Sequence, residues 1–248
     1  MTMVKYMIHA CPQRMWYVTN YLLVWMHDMG IADNEIHVWC DTNKRGNLRS
    51  FFDSMEYVRD NYDPNDGIWH LQDDVLLCTD FVHRTKDITG CAYGFTNDYF
   101  NPVTHKNTGV VRIEDAWTSF QCVRIPNRYA GEFLEWYQQN KSNLLVWGIA
   151  KKNIGDDTLF NFFLQDWHRD DPITNVCPNL VEHVDFLLGG STLVSERGMT
   201  LSFYWEEQFS THYLARCIHE ELMSKYFVEE SSIYERRKAI CKTDCEMS

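Results

Sequence analysis

The order of predicted elements in the first third of the chain is the feature that most constrains its fold. Apolar runs rich in β-branched and aromatic residues predict strands over 3–9, 35–40 and 67–71. Between them, apolar side chains recur at helical spacing over 13–29 and 47–62. This β-α-β-α-β order favours a parallel sheet covered by helices. We therefore expect an α/β fold with a mainly parallel central sheet flanked by helices.

Periodic segments continue along the rest of the chain. They predict helices over 129–139 and 156–167, a strand over 181–188 and a long C-terminal helix over 205–227. The stretch between Cys91 and Asp115 is rich in Asn, Thr and Gly and is interpreted as strand and loop. The amphipathic pattern thus covers most of the chain.

No internal repeat, low-complexity block or Pro/Gly-rich linker divides the sequence. We therefore expect a single domain over 1–228 and a charged peripheral tail over 229–248. Within the domain, the strand ends of 1–100 favour a ligand-binding half, and 101–228 forms the second functional half.

Composition excludes several classes of protein. The chain has 248 residues, of which 45% are hydrophobic, and this length allows a substantial core. No window approaches the roughly 18 apolar residues of a spanning helix, so we expect no membrane partner. The first residues lack a signal-peptide pattern, and nine scattered cysteines are typical of reduced thiols. We therefore expect a cytoplasmic location.

The charge balance is acidic, with 23 Lys and Arg against 35 Asp and Glu and a net charge of −12. Such a balance argues against a uniformly basic surface for nucleic acid, because that affinity comes from cationic side chains. It leaves room for a local basic groove in the second half. It also leaves room for a bound divalent cation that reverses the local field.

Polar residues end each of the first three predicted strands, at His9–Cys11, Cys40–Thr42 and Gln72–Asp74. In open α/β sheets, ligands bind outside the carboxyl ends of the strands. No glycine-rich dinucleotide fingerprint or P-loop follows any of them. A nucleotide here must have its phosphates held in another way.

The strongest local signal is Asp73–Asp74, which follows the apolar run of the third strand. Adjacent carboxylates beside a buried strand are costly to ionise, and a bound cation removes that cost. Such oxygen ligands suit Mg²⁺ or Mn²⁺. The alternative is a solvated turn, where Asp is common.

Three further segments favour the interpretation as a metal site, although none of them is specific by itself. The acidic pair Asp156–Asp157 opens a predicted helix, where a carboxylate is stable and could act as a base. His183 could supply a nitrogen ligand, although a core histidine is the simpler interpretation. The segment 189–192 (GGST) could approach a phosphate or form a plain tight turn.

Taken in order, these motifs resemble a known family. The β-α-β-α-β half, LQDDV, the GDD helix start and PNLVEHVDFLLGGST are similar to A-type-fold (GT-A) nucleotide-sugar glycosyltransferases, in particular small bacteriophage-type members. The resemblance covers roughly 3–195. It implies a metal-dependent transfer of a sugar, with a UDP-sugar as the expected donor, to an acceptor hydroxyl.

The resemblance also implies roles for individual residues. Asp74 would be the main ligand of Mn²⁺ or Mg²⁺, Asp73 a second metal contact or a donor-sugar contact, and His183 the third ligand. Asp41 matches a position that touches the nucleoside. One departure is Gln72, which replaces the first acidic residue of the family motif and leaves the coordination open.

The remaining implied roles concern donor and acceptor. The segment 9–14, with His9 and Cys11, would form the floor under the base, and Arg14 or Arg49 could reach the phosphates. Asp157 or its neighbour Asp156 would be the acceptor-side carboxylate.

Some related enzymes glycosylate hydroxymethylated pyrimidines in DNA, so a DNA acceptor is one hypothesis. A glycan or protein acceptor is the alternative within the same family. A metal-dependent nucleotidyltransferase is a second class, but it would require a glycine-rich basic loop where this chain has CPQR. A non-catalytic binding protein, with Asp73–Asp74 as a turn, is the third. The sequence leaves the sugar, the stereochemical outcome and the oligomeric state open.

Overall fold

The β-α-β-α-β order predicted for the first third of the chain is confirmed by the computed structural model, which describes residues 4–95, 108–111, 120–146, 155–176 and 179–183. The elements of this part are β1 (Tyr6–Ala10), α1 (Met15–Tyr17), α2 (Leu23–Asp28), β2 (Ile36–Cys40), α3 (Asn47–Asn61) and β3 (Gly67–Gln72).

The helical segment after β1 is not uniformly α-helical. A short 3₁₀ turn, Pro12–Arg14, leads into α1, and a π-helical turn, Val18–Leu22, joins α1 to α2. Single π turns inside helices are rare and often lie near functional sites. Tyr17, at the end of α1, donates a hydrogen bond from its hydroxyl to the carbonyl oxygen of Val75 (2.9 Å). This bond ties the helix to the segment that follows the acidic pair.

The later part of the chain adds shorter strands and two longer helices. Its elements are β4 (Val75–Leu77), α4 (Phe81–Thr85), β5 (Cys91–Tyr93), β6 (Gly109–Val111), β7 (Cys122–Pro126), α5 (Arg128–Val146), α6 (Asp156–Trp167), β8 (Ile173–Asn175) and β9 (Val181–His183).

Two of the three helices predicted in the second half are confirmed, α6 with the bounds expected and α5 longer than expected. The strand predicted over 181–188 begins at Val181 as expected. The segment 189–192, the predicted helix over 205–227 and the tail over 229–248 lie outside the described residues. No helix among the described ranges has the length and apolar character to cross a membrane.

The main sheet has seven strands in the order β2-β1-β3-β7-β5-β8-β6. β1 pairs in parallel with β2 and β3, and β5 in parallel with β8. β7 runs antiparallel to both of its neighbours, β3 and β5, and β6 runs antiparallel to β8. The prediction of a mainly parallel sheet is therefore wrong, because the sheet is mixed.

The reason for this error lies in the lengths of the later strands. Helices that connect successive strands are recognisable in the sequence only as far as β3. The later strands β5, β6 and β8 have three residues each. Such strands are too short to show a period of two. Because β7 is antiparallel to both β3 and β5, the strands β5 and β8 run in the same direction as β1 and β3. Their carboxyl ends therefore share one edge of the sheet, where β7 begins.

Alternating side chains of the strands feed two separate cores. In β1, Met7 packs with α3, α5 and α6, whereas Ile8 packs on the opposite face with the α1–α2 segment. In β3, Ile68 joins the first group and Leu71 the second. Because successive side chains of a strand point to opposite faces, the sheet is covered by helices on both sides. Because β1, β2 and β3 are parallel, the segments that follow them lie at one edge of the sheet, between the two helical layers.

Candidate functional site

The acidic pair Asp73–Asp74 lies in the turn between β3 and β4. β3 is a central strand whose side chains Ile68, Trp69 and Leu71 are buried, so the turn is held at the carboxyl edge of the sheet. Each of the two aspartates is only 5% exposed. The solvated-turn interpretation does not describe this pair, because solvent reaches neither side chain freely.

Asp73 is held by the segment that follows β1. Its Oδ2 accepts a hydrogen bond from the backbone N–H of Cys11 (2.7 Å), and its Oδ1 accepts one from Nη1 of Arg14 (2.9 Å). Burial and the neighbouring charge of Asp74 raise the pKa of Asp73, and Arg14 opposes this change. Both oxygens of Asp73 are thus engaged by the protein itself.

Asp74 has different surroundings. Its Oδ2 contacts both Nη1 of Arg14 and Nε2 of His183, the latter at 3.2 Å. Burial alone would raise the pKa of Asp74, but His183 and Arg14 outweigh it, and the pKa is lowered. Its Oδ1 is buried and accepts no hydrogen bond from any described residue. A buried carboxylate oxygen without a donor is costly, so this atom has unused capacity to bind a cation.

A second, two-stranded sheet brings His183 to this position. β4 follows directly after Asp74 and pairs antiparallel with β9, so that Val75 faces His183. Just beyond the pairing, the backbone N–H of Cys78 donates to the carbonyl oxygen of Leu180 (2.9 Å). The predicted contact between His183 and the acidic pair thus depends on strand pairing between distant parts of the chain.

The chemistry of Asp74 and His183 fits a divalent cation bound jointly with a phosphate ligand. Mg²⁺ is commonly held by one or two carboxylates, and water and substrate phosphates complete its coordination. A nitrogen ligand such as His183 suits Mn²⁺ better, since Mg²⁺ prefers oxygen. Within the described ranges, no group of three or more His, Cys, Asp or Glu side chains is arranged to hold a metal alone. The role of Asp73 as a metal contact stays a prediction.

The predicted floor under the base contains a histidine pair. Nε2 of His9 lies 2.8 Å from Nδ1 of His70, and the two rings stack with centroids 5.1 Å apart. Burial lowers the pKa of His9 to about 4, and burial also lowers the pKa of His70. Two uncharged imidazoles therefore share one hydrogen bond beneath the carboxyl edge.

The loop after β2 is organised by Asp41. Its Oδ1 accepts a hydrogen bond from the N–H of Arg45 (3.0 Å), and its Oδ2 accepts one from the N–H of Gly46 (2.9 Å). Gly46 has a positive φ of 87°, which a residue with a side chain would adopt only with strain. Asp41 thus shapes the loop that precedes α3, and its contact with a nucleoside stays a prediction.

Arg49 lies on the first turns of α3 and is more exposed than Arg14. It forms an ion pair with Asp53 (3.0 Å), and Arg45 pairs with the same carboxylate. Of the two arginines expected near the phosphates, Arg14 is therefore the one that contacts the acidic pair.

The second acidic pair opens α6, as predicted. Asp156 is 6% exposed, and its Oδ1 accepts a hydrogen bond from Nδ2 of Asn47 (2.7 Å), the first residue of α3. Burial and the charge of Asp157 raise the pKa of Asp156 to about 7. Asp157 is half-buried, and its Oδ1 accepts a hydrogen bond from the N–H of Thr158 (2.7 Å).

The N-terminus of α6 lies beside the start of α3, which follows the loop at the carboxyl end of β2. One turn into α6, the ring of Phe160 contacts Phe51 of α3 (6.2 Å between centroids), and Phe51 contacts His9 (6.3 Å). Phe120, just before β7, contacts both Phe51 and Phe160. A cluster of aromatic rings thus connects His9 with α6.

The sequence interpretation missed three residues that hold these groups. Asn47 binds Asp156, His70 binds His9, and Nε2 of Gln121 donates to Oε1 of Gln72 (3.1 Å). His70 precedes the acidic pair by three residues, so its position in β3 was available as a signal. The contacts of Asn47 and Gln121 depend on packing between distant segments and had no signal in the sequence.

No protein-family model matches the chain, and no curated protein is significantly similar to it.

Proposed function

We propose that this chain is a metal-dependent glycosyltransferase that moves a sugar from a nucleotide sugar, with UDP-sugars as the first donors to test, to an acceptor hydroxyl. The observation that carries the proposal is the contact between Asp74 and His183, 3.2 Å apart at the carboxyl edge of the sheet. These are two of the three residues that the sequence resemblance implies as metal ligands, the third being Asp73. Asp74 Oδ1 is buried and accepts no hydrogen bond from a described residue, which supports the same role.

The donor diphosphate would lie beside the acidic pair, at the end of β1 and β3. A bound Mn²⁺ or Mg²⁺ supplies a Lewis acid that neutralises charge on the leaving nucleoside diphosphate. Asp74 and His183 would hold this cation, while Asp73 fixes the Pro12–Arg14 turn through Cys11 and Arg14. The guanidinium of Arg14 is a second cation within reach of the phosphates, and a planar fork of donors suits phosphate oxygens.

The acceptor would approach from the N-terminus of α6. Asp157 is the more accessible of the two carboxylates, and a general base must reach the hydroxyl that it deprotonates. Asp157 accepts the hydroxyl proton as the acceptor oxygen bonds to the sugar carbon and the bond from that carbon to the diphosphate breaks. With Asp157 opposite the leaving group, the transfer inverts the sugar configuration. Asp156 supports this turn through its bond to Asn47.

The acceptor class proposed first is a hydroxymethylated pyrimidine in DNA, which rests on the resemblance to bacteriophage-type enzymes. A target base inside a duplex would have to be flipped out for its hydroxymethyl group to reach the donor. The net charge of −12 requires that any DNA surface be local.

The donor side is tested with a panel of nucleotide sugars with and without Mn²⁺, followed by slow hydrolysis and by thermal stabilisation. We expect one donor to be hydrolysed only with metal, and Asp74→Asn to lower that rate about 100-fold. Asp60→Asn, which removes an exposed carboxylate on α3, is the matched control and should keep the rate. If no donor is hydrolysed or stabilises the fold with any metal, the proposal is wrong.

The acceptor side is tested by comparing hydroxymethylated DNA with unmodified DNA at low salt, with sugar transfer as the readout. Transfer to the modified strand alone would support the DNA acceptor. Transfer to a glycan or protein hydroxyl in place of DNA would support the glycosyltransferase proposal and show that the proposed DNA acceptor is wrong. Asp157→Asn should lower transfer about 100-fold while donor binding remains, since a general base contributes about that much.

A further inference from the structure

The guanidinium of Arg14 lies where a cation is needed in the buried acidic pair. Its Nη1 contacts Asp73 Oδ1 (2.9 Å) and also Asp74 Oδ2. The side chains of all three residues are nearly closed to solvent, with 11% of Arg14 and 7% of each aspartate exposed. In the absence of any other cation, Arg14 therefore neutralises part of the charge of the pair.

Charge counting shows why Arg14 opposes a metal ion. Two carboxylates, one guanidinium and the imidazole of His183, which must be neutral to bind a metal, leave a single negative charge in this buried cluster. A divalent cation on Asp74 would turn this into a single positive charge and would place it next to the guanidinium. Like charges in a poorly solvated site repel strongly. A diphosphate brings negative charge that can pair with both cations.

The contacts of the two aspartates allow Arg14 to leave one of them and keep the other. Asp73 is fixed by two bonds, from Cys11 and from Arg14, both in the segment that follows β1. Asp74 also contacts His183 and retains the unbonded Oδ1. Because the same Nη1 contacts both carboxylates, Arg14 can keep its contact with Asp73, give up the one with Asp74, and turn the rest of its guanidinium towards a phosphate oxygen.

We propose that Arg14 is a displaceable internal counter-ion that weakens metal binding to the free protein and is released from Asp74 when a nucleoside diphosphate binds. The metal and the diphosphate then bind cooperatively, because each relieves the charge that opposes the other. This inference rests on the proposed function, since it takes Asp74 and His183 as the metal ligands. It adds that the protein avoids holding a metal tightly without its donor.

The test measures Mn²⁺ binding to the full chain by electron paramagnetic resonance and calorimetry, with no nucleotide present. We expect Arg14→Gln to bind Mn²⁺ about tenfold more tightly than the wild type, within the usual range of coupling between sites. Arg59→Gln removes an exposed arginine that pairs with Asp60, so it controls for net charge and should leave the affinity unchanged. Circular dichroism checks that each variant is folded.

A second measurement uses the wild type alone and so does not depend on the folding of a variant. Mn²⁺ affinity is compared with and without UDP or inorganic pyrophosphate, after correction for the complex that forms in solution. We expect either diphosphate to tighten Mn²⁺ binding about tenfold, and Arg14→Lys to reduce this enhancement.

The outcomes separate the inference from the proposed function. The role of Arg14 would be overturned if folded Arg14→Gln binds Mn²⁺ as the wild type does or more weakly. It would also be overturned if the wild type binds Mn²⁺ but diphosphate does not tighten that binding. Neither result would overturn the proposed function. A wild type that binds Mn²⁺ neither alone nor with any diphosphate would overturn the proposed function as well.

Discussion

Asp73 and Asp74 are neighbouring carboxylates whose pKa values shift in opposite directions. Burial and its partner's charge raise the pKa of Asp73, whereas His183 and Arg14 overcome burial and lower the pKa of Asp74. The sequence predicted a pair of carboxylates at a strand end and could not distinguish their surroundings. Arg14 contacts both carboxylates, so the distinction arises from His183, which pairs with Asp74.

Asp156 gives a pH prediction at the scale of a single residue. Its pKa is raised from 3.8 to about 7, so the folded protein keeps a proton that the unfolded chain loses at lower pH. The stability from this group is complete below pH 3.8 and is lost as the pH rises through about 7. Replacement by Asn preserves an acceptor for Asn47 and removes the titration. We expect wild-type stability, relative to Asp156→Asn, to fall by up to about 4 kcal/mol across this window.

The measurement is urea unfolding of both proteins at several pH values from 4 to 8, with the difference plotted against pH. The difference is required because buried histidines act in the opposite direction. His9 has a lowered pKa of about 4, so its contribution is present above the ordinary histidine value and is lost as the pH falls. A flat difference curve would show that Asp156 is not protonated in the folded state.

At the scale of elements, the small sheet of β4 and β9 matters most for the site. Each strand has three residues, too few to display a periodic pattern, yet their pairing sets Val75 opposite His183. The position of His183 was predicted from its resemblance to a family motif. Its partner strand was not predicted, because strand pairing depends on packing rather than on local sequence.

Gly94 supports this arrangement through a close approach of three segments. Its N–H donates to the carbonyl oxygen of Cys122 (2.9 Å), and its own carbonyl accepts from Leu180 (2.6 Å), just before β9. A Cβ on Gly94 would lie 2.5 Å from Sγ of Cys122 and 2.8 Å from Cδ1 of Leu180. We therefore expect Gly94→Ala to destabilise the fold by about 1–3 kcal/mol. Thermal and urea unfolding check this value.

Gly109→Ala is the matched control, because no heavy atom lies within 4 Å of the corresponding Cβ. It should change stability by less than about 0.5 kcal/mol. If Gly94→Ala is as stable as Gly109→Ala, β9 is not packed against Gly94, and the position of His183 would lose its support.

At the scale of the whole molecule, the sequence predicted the first half of the sheet better than the second. Long periodic segments specified β1 to β3 and the helices between them, and α6 has the bounds expected. The antiparallel insertion of β7 escaped prediction, since strand direction depends on non-local pairing. Acidic positions at the sheet edge were predictable from strand ends, but the contacts of Arg14 and Asn47 with them were not.

The two cores on either side of the sheet predict how its thiols react. Cys78 and Cys122 are buried in one core and Cys91 in the other, whereas Cys11 and Cys40 are half-buried at strand ends. Burial raises the pKa of Cys78 and of Cys91 to about 12, which removes the reactive thiolate. We expect iodoacetamide to label Cys11 and Cys40 at least about tenfold faster, as mapped by mass spectrometry. Equal labelling of Cys91 would show that the core between α3, α5 and α6 is open.

The most direct test of the proposed metal centre is a crystal structure of the protein with Mn²⁺ and UDP, with anomalous scattering used to locate the metal. The proposed site predicts one anomalous peak in contact with Asp74 and Nε2 of His183. It also predicts that Arg14 stays on Asp73 and turns towards the diphosphate. A metal bound elsewhere would contradict the proposed site. So would a structure in which UDP is bound without a metal and Asp74 still contacts His183.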